Sequence, residues 1–137
     1  MEAFIDTGIF CAVANAKDSK NQEIKELLES LELKGFTLCT SDYVLDETYT
    51  LIRMRVNHSA SVRFMEGFKN SKISVKRVNE ETEEYAKRIF IKYGDKTFSF
   101  TDCTSFAIIE LHKIEGVLSL DKDFERFKIK HRVEFFI

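Results

Sequence analysis

Short apolar segments alternate along this chain with stretches of helical periodicity, and that alternation leaves few ways to fold. Ala3 to Ile5, Phe36 to Thr40, Ile73 to Val78, Val117 to Leu120 and Val133 to Ile137 have the length and side-chain character of strands. Between them, Ile9 to Ala16, Asn21 to Leu33, a segment capped by Ser41 or Asp42, His58 to Phe68 and Glu80 to Tyr93 read as helices. A further helix is expected from a Thr101 cap to about Lys113. Ile24, Leu27, Leu28 and Leu31 fall on one helical face, while Gly35 and Gly116 stand where helices should stop. The third strand carries Lys76 and Arg77, as a sheet edge would. Strands separated by helical crossovers pair in parallel, and a parallel sheet has to be covered on both faces. The expected class is α/β.

Composition sets the remaining bounds. The 137 residues suit one domain, residues 1–137, with 44% apolar residues including thirteen Phe to build a core. The net charge of -2 is unlike that of a protein held to duplex DNA chiefly by phosphate contacts, although local basic patches can still guide a polyanion. Cys11, Cys39 and Cys103 are odd in number and lack a close ligand pair, so they read as thiols in a reducing compartment. No basic region followed by a long apolar stretch opens the chain, and no uncharged segment reaches membrane-spanning length. A cytoplasmic address is expected, with no membrane partner.

Acids carry the chemistry. Asp6 and Asp121 directly follow apolar strand candidates, Asp102 opens a helix, and Glu47 lies in the first turns of another. Any one of these would ordinarily be a cap or a turn residue. Strands of a parallel sheet, however, present their C-terminal ends to one common edge, where ligands gather. Four acids meeting there would repel one another unless a cation or protons compensated them, and hard oxygen donors suit Mg2+ or Mn2+. Asp42 and Asp46 compete with Glu47, but Asp46 points about a quarter-turn away on a helix. Asp123 competes with Asp121, which follows its strand more closely. Asp18, Glu23, Glu29 and the Glu80 to Glu84 run read as solvated charge, and His58, His112 and His131 have no ligand spacing.

These segments resemble the motifs of the PIN domain family, in particular its short VapC-like members. Phe4-Ile5-Asp6-Thr7 is similar to the family's opening, and Ser41 to Thr48 to its second region, with Glu47 at the acidic position. Phe100-Thr101-Asp102-Cys103-Thr104-Ser105 resembles the third, and Val117 to Phe124 the last. The resemblance covers nearly the whole chain. It implies a PIN-like three-layer α/β/α fold with a mainly parallel five-stranded sheet, a site holding one or two Mg2+ or Mn2+ ions, and endoribonuclease activity. Asp6 and Asp102 would be central metal ligands, and Glu47 and Asp121 would bind metal directly or through water. Thr7, Thr101, Ser99 and Asp123 would support them. Hydrolysis by an activated water would leave a 5′-phosphate and a 3′-hydroxyl, without a covalent protein intermediate.

The resemblance also implies a homodimer and an antitoxin protein that neutralises a toxin. Arg53, Arg55, Lys96 and Lys122, with Lys17 and Lys20, are candidates for RNA phosphate contacts, against the alternative of ordinary helix-surface charge. Phe98, Phe100 and Phe106 are expected in the core or a dimer contact. The same acids could serve a DNA nuclease or a phosphatase, or persist in a noncatalytic RNA-binding or protein-interaction domain.

Overall fold

The protein is described by a computed structural model covering residues 1–137. Its strands are β1 (Glu2–Ile5), β2 (Thr37–Ser41), β3 (Ser74–Lys76), β4 (Gly116–Leu118) and β5 (Glu134–Phe135). Its helices are α1 (Thr7–Ala14), α2 (Asn21–Leu33), α3 (Asp42–Arg55), α4 (His58–Lys69), α5 (Glu80–Lys92), α6 (Phe100–Leu111) and α7 (Asp123–Arg126). The sheet order is β3-β2-β1-β4-β5 and every adjacent pair is parallel. With helices packed on both faces, the architecture is a three-layer α/β/α sandwich around a five-stranded sheet.

β1 is central because it is buried from both sides: Ala3, Phe4 and Ile5 are all fully inaccessible. Phe4 pairs with Cys39 on one flank and Val117 on the other. The chain therefore leaves β1 toward β2 and β3, then returns to the opposite flank for β4 and β5. That reversal opens a crevice beyond the C-terminal ends of β1 and β4, the place where open α/β sheets accept ligands.

Capping chemistry starts and stops the helices. Ser41, Asn57 and Asn79 cap α3, α4 and α5 by accepting the backbone N–H groups of Val44, Ala60 and Thr82. Gly35 ends α2 at φ 91°, with Phe36 N–H donating to Leu31 carbonyl oxygen and Gly35 N–H to Glu32 carbonyl oxygen. The first helix begins two residues before its expected start, the last three strands are shorter than expected, and two expected start and stop residues are replaced by others. Ser99, not Thr101, caps α6, because only Ser99 stands three residues before Asp102 and can exchange hydrogen bonds with it. Lys113, at φ 53°, turns the chain out of α6, so Gly116 is not the helix stop.

Gly116 instead opens β4, where a Cβ would stand 2.6 Å from the Phe136 ring and 3.1 Å from Ala3 Cβ. Gly116→Ala is expected to lower stability by about 1–3 kcal/mol through overpacking, measured as the denaturation midpoint.

Much of the core is aromatic. Phe106 stacks on Phe127 at 4.4 Å between centroids and meets Phe98 and Phe124 edge-on at 5.1 and 5.0 Å. Phe106→Ala removes the common member of these contacts and is expected to cost about 3–5 kcal/mol in chemical denaturation. Phe98 is buried with it, whereas Phe100 is only half-buried and touches Tyr43 and Phe90. No helix is long and apolar enough to cross a membrane.

Candidate functional site

The crevice at the sheet edge is a cleft of about 390 Å³ lined by Asp6, Glu47, Asp102 and Asp121. The four expected acids thus arrive from four separate segments. Asp6 continues β1: its backbone N–H donates to Leu118 carbonyl oxygen at 3.0 Å, and the residue is 6% exposed. Its Oδ2 accepts from Ser119 Oγ at 2.9 Å. Asp102 is held by α6's cap, with Ser99 N–H donating to its Oδ2 at 3.1 Å while its own N–H donates to Ser99 Oγ at 3.0 Å. Asp121 is fixed on both sides. Its N–H donates to Ser119 Oγ at 3.0 Å, and its Oδ1 accepts from Asp123 N–H at 2.9 Å.

Glu47 reaches the cleft from α3. Leu51 and Arg55 line it as well, each four residues further on and therefore on the same helical face. Asp46 is exposed and outside the cleft. Asp42 is engaged elsewhere, accepting Val78 N–H at 3.0 Å and so tying α3 to the segment after β3.

Carboxylate oxygens of Asp102, Asp121 and Asp123 form the tightest trio, all within 4.8 Å of one another. Asp6 and Glu47 face the cleft outside that trio. Asp123 is a buried member of the trio outside the cleft lining and pairs with Arg126 at 3.0 Å, so part of its charge is already met by the protein.

Burial and mutual repulsion leave the acids poorly compensated. Burial, opposed by hydrogen bonds from Thr7 and Ser119 and reinforced by the charges of Asp102 and Asp121, raises Asp6 to a pKa of about 7. Burial likewise raises Asp102 to about 6, with Asp121 and Asp123 adding repulsion. Arg55 is the one cation among the cleft's lining residues, against five acids once Asp18 is included. Thr7 also borders the cleft, and its Oγ1 is buried without a hydrogen-bond partner. A hard divalent cation fits this donor set: carboxylates as the charged donors, beside a Cys11 thiol that burial pushes up and so keeps protonated, excess negative charge, and a hydroxyl left for a ligand or water to satisfy.

Other expected positions divide. Arg55 lines the cleft but Arg53, on a different helical face, does not. Lys17 is exposed and outside it, and Lys96 pairs with Asp95 at 3.3 Å. Thr101 lies in the first turn of α6, its carbonyl accepting Thr104 Oγ1 at 2.6 Å. Two residues near the acids are not singled out by the sequence. Ser119 bridges Asp6 and Asp121, and its signal is a hydroxyl immediately after a buried strand. Asp18, expected to be solvated surface charge, is half-buried in the cleft wall because the turn between α1 and α2 folds back there.

Comparison with known proteins agrees with this architecture. Residues 3–130 match the PIN domain family model. The 23S rRNA-specific endonuclease VapC20 of Mycobacterium tuberculosis is 32% identical over 121 residues, 88% of this chain and 90% of that protein. The crystal structure of VapC20, a sarcin-ricin loop cleaving toxin, superposes with a TM-score of 0.83 at 30% identity, covering 93% of this chain and 95% of the other. VapBC2 from Rickettsia felis, solved with a promoter DNA fragment, gives a TM-score of 0.77 over 98% of both chains. At 14% identity that second likeness concerns the fold alone. The order of motifs, the sheet topology and a family match from residue 3 to 130 together place this chain in the PIN domain family, among its VapC-like members.

Proposed function

We propose that this protein is an Mg2+- or Mn2+-dependent endoribonuclease, the toxin of a toxin–antitoxin pair. The observation that carries the reading is the convergence of Asp6, Glu47, Asp102 and Asp121, from four chain segments, on one cleft at the switch point of the sheet. The similarity to an rRNA-specific endonuclease supports RNA as the substrate. Solved VapBC assemblies among the structural relatives support an antitoxin partner. In this reading residues 1–137 are one catalytic domain, acting as a homodimer in the cytoplasm.

Asp6, Glu47, Asp102 and Asp121 would hold the metal, one or two ions per site. Once bound, the cation supplies Lewis-acid activation of water and neutralises the charge gathered on the phosphate. The protein's own groups do the positioning. Ser119 Oγ orients Asp6, Ser99 anchors Asp102, and the Asp123 backbone aims Asp121. Asp123 supports this arrangement from within the trio but outside the cleft lining, and Asp121 is the ligand because it lines the cleft. Thr7 Oγ1 has a proton to donate into the cleft, and the Arg55 guanidinium is placed to take a phosphate oxygen. Thr101 contributes through the first turn of α6. Leu51 and Leu120 border the acids with apolar surface that limits water.

The test is incubation of the purified protein with a mixed pool of structured and single-stranded RNAs, in Mg2+, Mn2+ or chelator, beside DNA and a phosphate monoester. Cation-dependent cleavage confined to RNA, with 5′-phosphate product ends, is the expected result. Equal turnover of DNA or of the monoester would replace the assignment with a broader nuclease or a phosphatase. A folded protein inert toward the pool would be a noncatalytic binding domain.

A further inference from the structure

Beside the acidic cleft lies another of about 330 Å³, and the two share Leu120 and Asp121 as a common wall. Phe135 gives the second cleft an aromatic side. Lys20 and Lys122 give it a cationic one, against Glu125 as the only acid besides the shared Asp121. Phe135 is only partly buried against the core and also lines this cleft, whereas the next residue, Phe136, packs edge-on to Phe36 at 5.2 Å.

Two features of this lining have no account in folding. Leu120 is 40% exposed beside a group of carboxylates, held there by contact with α1, where a Cβ on Gly8 would lie 3.7 Å from it. Lys122 makes no ion pair, and Lys20 has only a loose one with Glu23 at 3.9 Å. Both ammonium groups are available to a polyanion.

We propose that this second cleft is a nucleotide subsite for single-stranded RNA, holding a nucleotide next to the scissile phosphate. Its base lies against Leu120 and Phe135, and its phosphate between Lys20 and Lys122. The inference rests on the nuclease reading and adds to it where a nucleotide beside the scissile phosphate is held. An aromatic and apolar platform beside cations is the chemistry that binds an unpaired nucleotide, since every base has a face to stack and every phosphate a charge. A base inside a duplex keeps its faces against its neighbours and has none to offer Phe135. The shared wall makes the subsite continuous with the acids, as adjoining nucleotides of one strand require.

The test uses the full chain and short mixed-sequence RNA single strands carrying thiouridine. With Asp102→Asn protein, in which cleavage is expected to be slowed, photocrosslinks are expected at Leu120 and Phe135. In the otherwise native chain, Lys20→Glu and Lys122→Glu are expected to raise KM for RNA cleavage about fivefold or more, with kcat much less changed. Both substitutions are at exposed positions, and unchanged thermal unfolding verifies the fold. Crosslinks confined elsewhere, or wild-type KM in both variants, would overturn the subsite while leaving the nuclease assignment standing; a partner-protein segment would then be the better occupant. Wild-type protein that neither binds nor cuts RNA would overturn the nuclease reading and the subsite with it.

Discussion

Asp102→Asn and Asp6→Asn are each expected to reduce cation-dependent RNA cleavage by about 10²–10³-fold, the size of effect seen when one preorganised charge-stabilising group is lost. The substitutions are nearly isosteric, so the loss is one of charge. In Asp102→Asn the new amide oxygen would still accept the Ser99 N–H, and the Ser99 hydroxyl would still accept the backbone N–H of residue 102, leaving the start of α6 intact. In Asp6→Asn the amide oxygen would likewise still accept from Ser119 Oγ. Circular dichroism should therefore be unchanged while single-turnover cleavage falls. Raising Mn2+ should restore part of the activity if the defect is weakened ion binding. Full activity in either variant, with the fold intact, would remove that acid from the proposed metal site. Asp46→Asn is the matched control: it neutralises an acid of the same helix as Glu47 that is exposed and outside the cleft, and it should cleave as the wild type does.

Much of this arrangement is legible in the chain because periodicity and punctuation agree. Asn21 to Leu33 is read with the bounds it has in the structure, since its apolar face repeats helically and Gly35 supplies the left-handed stop. Acids at strand ends are legible for a related reason: an acid that follows a fully buried parallel strand has to emerge at the sheet's C-terminal edge. Competition between equals is harder to read. Ser99 and Thr101 are both good caps, and the reciprocal bond between Ser99 and Asp102 decides between them only in three dimensions. The four residues of α7 are too few to show a period. Lys113 ends α6 in a conformation usually left to glycine, which shifts the expected role onto Gly116. Asp18 needs the path of a turn, and the second cleft needs the strand order, because only the pairing of β5 with β4 brings Phe135 near Leu120.

The charge imbalance in the cleft should also be visible without any substrate. In the metal-free protein Asp6 keeps its proton to a pH of about 7, against 3.8 for an ordinary aspartate. Between those values the folded state binds a proton that the unfolded chain has released, so this group's contribution to stability falls as pH rises and levels off above about 7. A displacement of that size corresponds to about 4 kcal/mol at 1.36 kcal/mol per pH unit. Asp102, raised to about 6, acts in the same direction over a lower window. Asp6→Asn removes the titrating group, and near pH 8 the metal-free variant should therefore unfold about 12–20 °C above the wild type, at about 3–5 °C per kcal/mol for a chain of this length. That gap should close as pH falls below 3.8, where Asp6 is protonated in both folded and unfolded wild type. Mn2+ should narrow that gap. Binding the deprotonated carboxylates stabilises the native state by mass action, about 2.7 kcal/mol at a hundred times Kd, so the cation should raise the wild-type Tm more near pH 8 than near pH 5. It should do little for Asp6→Asn. A wild type whose metal-free stability rises relative to the variant from pH 5 to 8, or a metal-induced shift independent of pH, would mean that Asp6 is already compensated within the fold and has no need of an ion.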